Sequence, residues 1–266
     1  MIVKTKVGKV TIMQKSQERE IKVKSLQKAL EILNCFTKKS SWGVTELSEY
    51  LNLNKSNVHN ILTTFKSMEY LDQDEETGKY KLGMAIYTLS RALGKNLEIG
   101  SIALPYMQEL ADKSGERVYL AIPHGDEVIY VTSTYPQEAV YLMRTIMGER
   151  AKMYCTGLGK AMLAYLPKDQ VDEYLSRPLE RHTEYTLTDP EVLRAELEGI
   201  RRRGYSVDNM EHEFGIKCVA VPIFNRQHEV EGAISISGPS LRFGEDRIPE
   251  LAEEIRKRVA KIESRL

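Results

Sequence analysis

The sequence predicts an α+β protein in which a small winged helix-turn-helix precedes a larger α/β domain. Three observations carry that prediction. Past a basic tail, three apolar series of helical period are followed by two short strand-like runs around a polar turn. The stretch "NLNKSNVHN", Asn52–Asn60, places a tight turn and a helix cap between the second and third of those helices. From about Ile99 onward, helical and strand patterns are mixed to the end of the chain.

Length and composition fit that division. A chain of 266 residues suffices for a small and a medium domain, each with its own core. An apolar fraction of 42% with 29% charged residues is that of an ordinary soluble globular protein. The cysteines, Cys35, Cys155 and Cys218, are odd in number and show no CxxC spacing, which argues against a disulfide framework and for a reducing cytoplasm. No apolar run approaches the roughly 18–20 residues that cross a bilayer. The N-terminus lacks the continuous apolar core of a secretory signal, so the expected location is cytoplasmic. The 38 basic residues balance 38 acidic ones, which counts against a uniformly basic nucleic-acid binder. Residues 1–24 depart from that balance, with seven Lys/Arg against two Glu and a net charge of +5. The tail reads either as a solvated segment or as a source of non-specific attraction to phosphate.

The first helix carries Leu26, Ala29, Leu30, Leu33 and Phe36 on one face, with Ser25 as its expected cap. A break at "KKSSWG" precedes a short helix with Thr45 as expected N-cap and Leu47 and Leu51 turned inward. Asn54 caps a third helix whose apolar positions are Val58, Ile61, Leu62, Phe65 and Met68. Tyr70–Gln73 and Lys79–Leu82 then flank a polar segment ending in Thr77-Gly78, a β-hairpin pattern, and complete the winged form. Ile86, Leu89 and Leu93 space out a linking helix from Met84 to about Leu97.

In the second half, Ile102–Ser114 reads as a helix stopped by Gly115. Arg117–Pro123 and Glu127–Thr134 read as strands around His124-Gly125-Asp126. Thr156–Leu166 and Pro190–Arg203 read as helices, the latter ended by Gly204. The cations Arg201–Arg203 complement the dipole of that helix end. Lys217–Phe224 and Gly232–Ser237 form a hairpin, and a C-terminal helix carries Ile248, Leu251, Ile255, Val259, Ile262 and Leu266 at three- and four-residue spacing.

The third helix gathers its apolar residues on one side and Ser56, Asn60, Thr63 and Ser67 on the other, with Asn57, His59 and Thr64 on the flanks. Asn pairs with adenine in bidentate fashion in the major groove, and Ser or Thr bonds several base edges. Helix-turn-helix proteins place such contacts in the N-terminal half of this helix. A solvated surface helix has the same polar face, so the order of elements is the stronger signal. The candidate DNA contacts are Thr45, Lys55, Ser56, Asn57, His59, Asn60, Thr63, Thr64 and the wing's Lys79, with operator duplex as the partner. Between Ser25 and Leu93, eight basic residues meet eight acidic ones, so attraction per subunit is modest and the tail or oligomerisation must add to it.

"GYSVDNMEHEFGIKCVAVPIFN", Gly204–Asn225, concentrates Asp208, Glu211, His212, Glu213 and Cys218. A metal site from Asp208, His212 and Cys218 lacks any HxxxH, HExxH or CxxC spacing. A nucleophilic pair of Cys218 and His212 is the enzymatic alternative, with Asp208 as third member and a small organic acid as substrate. A binding pocket for a small acid is the third reading. In "GAISISG", Ala233, Ser235 and Ser237 share one strand face and Ile234 and Ile236 the other. The serine face is either solvated or, beside Ile216, Cys218 and Ala220 of the neighbouring strand, part of a concave surface suited to a small anion with an apolar part. "TGLGK", Thr156–Lys160, offers backbone N–H groups at a helix start. The sequence calls for no cofactor and no metal.

These segments resemble the IclR family of bacterial transcription regulators over about residues 25–266. The similar elements are "SLQKALEIL", "VTELSEYLNLNKSNVHNILTTF", "TGKYKLG", "GERVYL", "TGLGKAMLAYLP" and "ISISGPSLR". The family's signature region matches at Gly204, Asp208, Glu211, Cys218-Val219-Ala220 and Ile223-Phe224-Asn225. The resemblance implies a winged helix-turn-helix over 25–86, a linker helix over 87–98 and a GAF-like effector-binding domain over 99–266, after the tail of 1–24. It implies a non-enzymatic regulator, by expectation a repressor, that binds operator DNA as a homodimer or homotetramer and responds to a small organic acid. Carried onto matching positions, the effector pocket involves Val140, Met143, Ala151, Gly157, Leu158, Asp208, Ile216, Cys218, Ser235 and Ser237.

Overall fold

A computed structural model of the chain describes residues 21–94, 98–137 and 147–266. They form two compact units, one ending with Gly94 and the other beginning at Glu98. The basic tail before Ile21 and the pocket positions Val140 and Met143 lie outside the described residues.

The first unit contains α1 (Lys24–Cys35), α2 (Val44–Leu51), α3 (Lys55–Ser67), β1 (Leu71–Gln73), β2 (Tyr80–Leu82) and α4 (Met84–Gly94). Ile32, Leu47, Val58, Leu62 and Leu71 are fully buried and meet in one core with Trp42 and Tyr80. Trp42 also exchanges both backbone hydrogen bonds with Tyr80, at 3.0 and 2.8 Å, which ties the loop after α1 to the wing. Its indole N–H donates to Cys35 O across 3.0 Å, so the one tryptophan buries no unmet donor.

Two caps differ from expectation. Ser25 does not cap α1, which starts one residue earlier after Val23, with no side-chain cap. Thr45 lies inside α2, because the extended backbone of Gly43 serves as N-cap and donates its N–H to Glu46 Oε2 across 2.8 Å. Glu46 accepts the Gly43 N–H from within the helix, which sets the start at Gly43 rather than at Thr45. Asn54 does cap α3, its Oδ1 accepting from Ser56 N at 2.9 Å. The turn before it is fixed by Asn52, at φ 49° and ψ 49°, a left-handed conformation that asparagine tolerates. Ser48 Oγ then donates to Leu53 O at 2.7 Å and closes the turn.

The second unit contains α5 (Glu98–Ser114), β3 (Arg117–His124), β4 (Glu127–Thr134), β5 (Arg150–Lys152), α6 (Gly157–Leu163), α7 (Lys168–Leu175), α8 (Pro190–Arg203), β6 (Ser206–Asn209), β7 (Ile216–Phe224), β8 (Val230–Pro239) and α9 (Arg247–Glu263). Among the described residues its strands make one antiparallel sheet in the order β5-β4-β3-β8-β7-β6. Alternation along the central strands assigns the two faces. Val118, Leu120, Val219, Val221, Ile234 and Ile236 pack in one core with residues of α5 and α9. On the other face Ala121, Ala220 and Ala233 pack with α6, α7 and α8. These small residues let α6 come close to the sheet, and the space beside it becomes a cavity.

Helix α5 begins at Glu98, four residues before the expected Ile102, and α6 ends at Leu163 rather than Leu166. Strands β5 and β6 and helix α7 have no clear signal in the sequence. β5 and β6 are short edge strands of three and four residues, too brief for alternation to stand out.

Candidate functional site

The cavity has a volume of about 420 Å³. Its floor is written by strand register. Asp208 on β6 stands opposite Cys218 on β7, Cys218 opposite Ser237 on β8, and Ser237 opposite Arg117 on β3. Residues directly opposite in antiparallel strands share a face, so these four form one row across the sheet. A second row runs from Ala220 through Ser235 to Tyr119. Ser235 is only 1% exposed, so its face is not simply solvated. Ala151, Gly157, Leu158, Asp208, Ile216, Cys218, Ser235 and Ser237, eight of the expected pocket residues, line this single cavity.

Gly157 is required there by space. A Cβ at that position would lie 2.5 Å from Cys218 Sγ, well inside van der Waals contact. The hydroxyl of Thr156 accepts from Gly159 N at 3.1 Å and caps α6. The start of α6 at Gly157 is thereby held close beside Cys218.

Behind the wall formed by Asp208 lies a buried ionic cluster. Lys160 Nζ pairs with Glu211, and both side chains are almost wholly removed from water. Glu211 N donates to Asp208 Oδ1 at 2.7 Å, and Cys218 Sγ lies 4.0 Å from Asp208 Oδ2. Burial pushes the Asp208 carboxyl up to about 7, although Lys160 pulls the other way. Burial likewise raises Glu211, again opposed by Lys160. Lys160 pairs with Glu211 and acts on Asp208 only through its nearby charge.

The catalytic and metal alternatives do not assemble. His212 Nδ1 lies 3.8 Å from Cys155 Sγ rather than beside Cys218. Burial raises both thiols, Cys155 to about 12, so each stays protonated and poorly nucleophilic. Among the described residues, no three His, Cys, Asp or Glu side chains converge as metal ligands.

Sequence patterns do not single out several lining residues, chief among them Arg117, Tyr119 and Tyr130, while His212, a candidate of the metal and catalytic alternatives, lines the cavity instead. In "RVYLAI" the alternation is legible, since Val118 and Leu120 are core. That Arg117 and Tyr119 face the serines requires knowing that β3 pairs with β8, a partner more than a hundred residues away.

In the first unit, Val58 and Leu62 are buried while Lys55, Ser56, Asn57, His59, Asn60, Thr63 and Thr64 are exposed along α3. Thr45 is exposed on α2. Two of these hydroxyls already spend their protons locally. Ser56 Oγ donates to Asn54 Oδ1 and Thr64 Oγ1 to Asn60 O, each across 2.8 Å. Among the described residues, Asn57, His59, Asn60 and Thr63 make no side-chain hydrogen bond. Lys79, expected to face phosphate, instead pairs with Glu46 at 3.1 Å, as does Lys39 at 3.0 Å. Lys66 donates to Gln73 Oε1 at 3.0 Å and braces α3 against β1.

Among the described residues, no helix is long and apolar enough to cross a membrane. Residues 91–264 match the family model described as bacterial transcriptional regulator IclR C-terminal, and residues 25–75 match the IclR helix-turn-helix domain. The chain is 32% identical over 247 residues to the HTH-type transcriptional regulator KdgR of Escherichia coli, covering 92% of this chain and 93% of the relative. It also superposes on the crystal structure of Thermotoga maritima IclR with a TM-score of 0.78 at 31% identity, over 91% of this chain and 98% of that one. A further match, at 26% identity and a TM-score of 0.80 over 90% of this chain and 98% of that one, is an IclR homolog from Microbacterium hydrocarbonoxydans crystallised with 4-hydroxybenzoate. The enzymatic alternative finds no support in these relatives, which are regulators. The winged helix-turn-helix, the sheet with its cavity and the matches to both halves place this chain in the IclR family, as a DNA-binding transcriptional regulator.

Proposed function

We propose that this regulator is a homo-oligomeric repressor whose affinity for its operator is set by a small organic acid held in the cavity of the second unit. The single observation that carries the reading is the cavity floor. A buried serine, a second serine beside it, a protonated thiol and a close-approaching glycine line a space for one small molecule. The hydroxyls can bond a carboxylate, and the alanine and leucine walls accept an apolar remainder. The aromatic acid bound by the Microbacterium hydrocarbonoxydans homolog is a ligand of that chemistry.

On the DNA side, Asn57, Asn60 and Thr63 are the base readers, with Ser56, His59 and Thr64 flanking and Lys55 toward phosphate. Two copies are needed to read two half-sites, because one unit with a near-balanced charge attracts DNA weakly. An effector with different affinity for two arrangements of the paired reading heads shifts operator affinity by about 1–3 kcal/mol. The test is selection of a bound sequence from random duplexes by the full-length chain, followed by titration of that duplex with keto, hydroxy and aromatic acids. A preferred palindrome released by one class of acid is the expected result. A chain that selects no sequence, or whose selected duplex no acid affects, would contradict the reading.

A further inference from the structure

We propose that His212 is the group that pairs with the effector's carboxylate, taking one proton from solvent as the acid binds; the proposal rests on the acid-binding reading above. His212 lines the cavity and keeps an exposed surface, so both ligand and solvent reach it. Its ring is held from two sides. Nδ1 lies 3.8 Å from Cys155 Sγ, and the ring meets that of His182 edge to face, with centroids 5.7 Å apart. His182 is itself fixed through Nε2, 3.2 Å from Tyr154 Oη. The backbone leading to His212 is pinned as well, since Thr183 Oγ1 donates to Met210 O and Thr186 Oγ1 to Glu211 O, each at 2.7 Å. Among the described residues Nε2 of His212 makes no hydrogen bond, which leaves that nitrogen for a ligand.

Among the described residues no carboxylate forms an ion pair with His212. Burial and the neighbouring His182 hold its basicity below that of an ordinary histidine, partly offset by Glu213. Cys155 stays protonated, its thiol pushed up to about 12 by burial. Burial also raises Cys218, Tyr119 and Tyr130, which line the cavity uncharged. Asp208, whose carboxyl accepts backbone N–H groups of Glu211 and His212, is pushed by burial up to about 7, and Lys160 behind it pairs with Glu211. Of the other charges in the wall, Arg150 lies 3.8 Å from Glu127, and Arg117 and Glu149 have partners of their own. An anion entering beside a neutral imidazole supplies the opposite charge that the ring lacks. It favours the protonated ring, so ligand and proton each raise the affinity for the other. The acid stays a carboxylate, the proton comes from water, and the product is an imidazolium–carboxylate pair. Asp208 adds linkage of the same sign, because its carboxylate repels an anion above about pH 7.

The test uses the full-length chain with 4-hydroxybenzoate, lactate and 2-oxobutyrate, titrated by calorimetry between pH 6 and pH 8 in buffers of different ionisation enthalpy. These carboxylates are ionised throughout, so any proton taken up belongs to the protein. For an acid that binds, Asp208→Asn, which silences the second titrating group, still takes up about one-half to one proton near pH 7 and binds up to about tenfold more tightly per unit fall in pH. Adding His212→Gln to that variant abolishes the uptake and leaves the affinity flat across the range. In the wild-type chain the imidazole C–H resonance of His212, identified by its loss in His212→Gln, titrates at higher pH with the acid than without it. That measurement decides should Asp208→Asn not fold. Uptake that vanishes with Asp208→Asn, uptake that survives the added His212→Gln, or a resonance whose titration the acid does not move overturns the role of His212 and leaves the acid-binding reading standing. Failure of all three acids to bind overturns the acid-binding reading as well.

Discussion

Glu211 donates its backbone N–H to Asp208 Oδ1 at 2.7 Å while its side chain pairs with Lys160 in the protein interior. Among the described residues Lys160 pairs with Glu211 alone, while Asp208, which faces the cavity, accepts that backbone N–H and is pushed by burial up to about 7.

Stability should depend on pH through Asp208. Its folded-state value of about 7 lies above the ordinary 3.8, so the native state holds a proton that the unfolded chain releases. The contribution is complete below about pH 4 and is lost as pH rises through about 7. Asp208→Asn, which mimics the protonated group, should gain stability relative to wild type between pH 5 and pH 8. Urea melts at the two pH values measure this, and an unchanged gap between variant and wild type would refute it.

Lys160→Met should be far more damaging than a surface lysine change. It leaves Glu211 buried with no cation, a loss of about 3–5 kcal/mol where a buried pair is broken from one side. Combining it with Glu211→Leu should recover much of that loss, since apolar groups can replace a buried pair at little cost. Chemical denaturation of both variants decides the matter, and a double variant no better than the single one would mean the pair is not the source.

These features were unevenly legible in the sequence. Element order is readable where alternation or helical period runs long, as in β4, whose span Glu127–Thr134 matches, and α8, where Gly204 in the left-handed conformation is the expected stop. The serines were assigned to one strand face, but their neighbours Arg117 and Tyr119 were not, because sheet order is set by packing between distant segments. Lys160 was read as part of a helix start, and nothing local distinguishes a buried lysine from a solvated one. Its burial is decided by Glu211, fifty-one positions away in the chain.

Gly157→Ala should both destabilise the chain and close the cavity. The added methyl meets Cys218 Sγ at 2.5 Å, an overpacking typically worth about 1–3 kcal/mol. Cys218→Ala removes the sulfur and should relieve part of the cost, which gives a coupling measurable by a double-variant cycle. Additive effects of the two changes would show that the methyl finds room elsewhere.

Asn57→Ala and Asn60→Ala should lower affinity for the selected operator by about 1–3 kcal/mol each while leaving binding to unrelated duplex unchanged. The amides carry no charge, so the dependence of affinity on salt should keep its slope. Lys55→Ala should do the opposite, weakening all duplexes alike and reducing the salt slope by about one ion. The contrast is set by geometry: Asn60 lies on the exposed face of α3 opposite Val58 and Leu62 with Asn57 exposed on its flank, and Lys55 sits at its first turn beside the Asn54 cap. Fluorescence anisotropy at several salt concentrations separates the two behaviours. Loss of operator and unrelated duplex in equal measure on changing the asparagines would move base reading off α3.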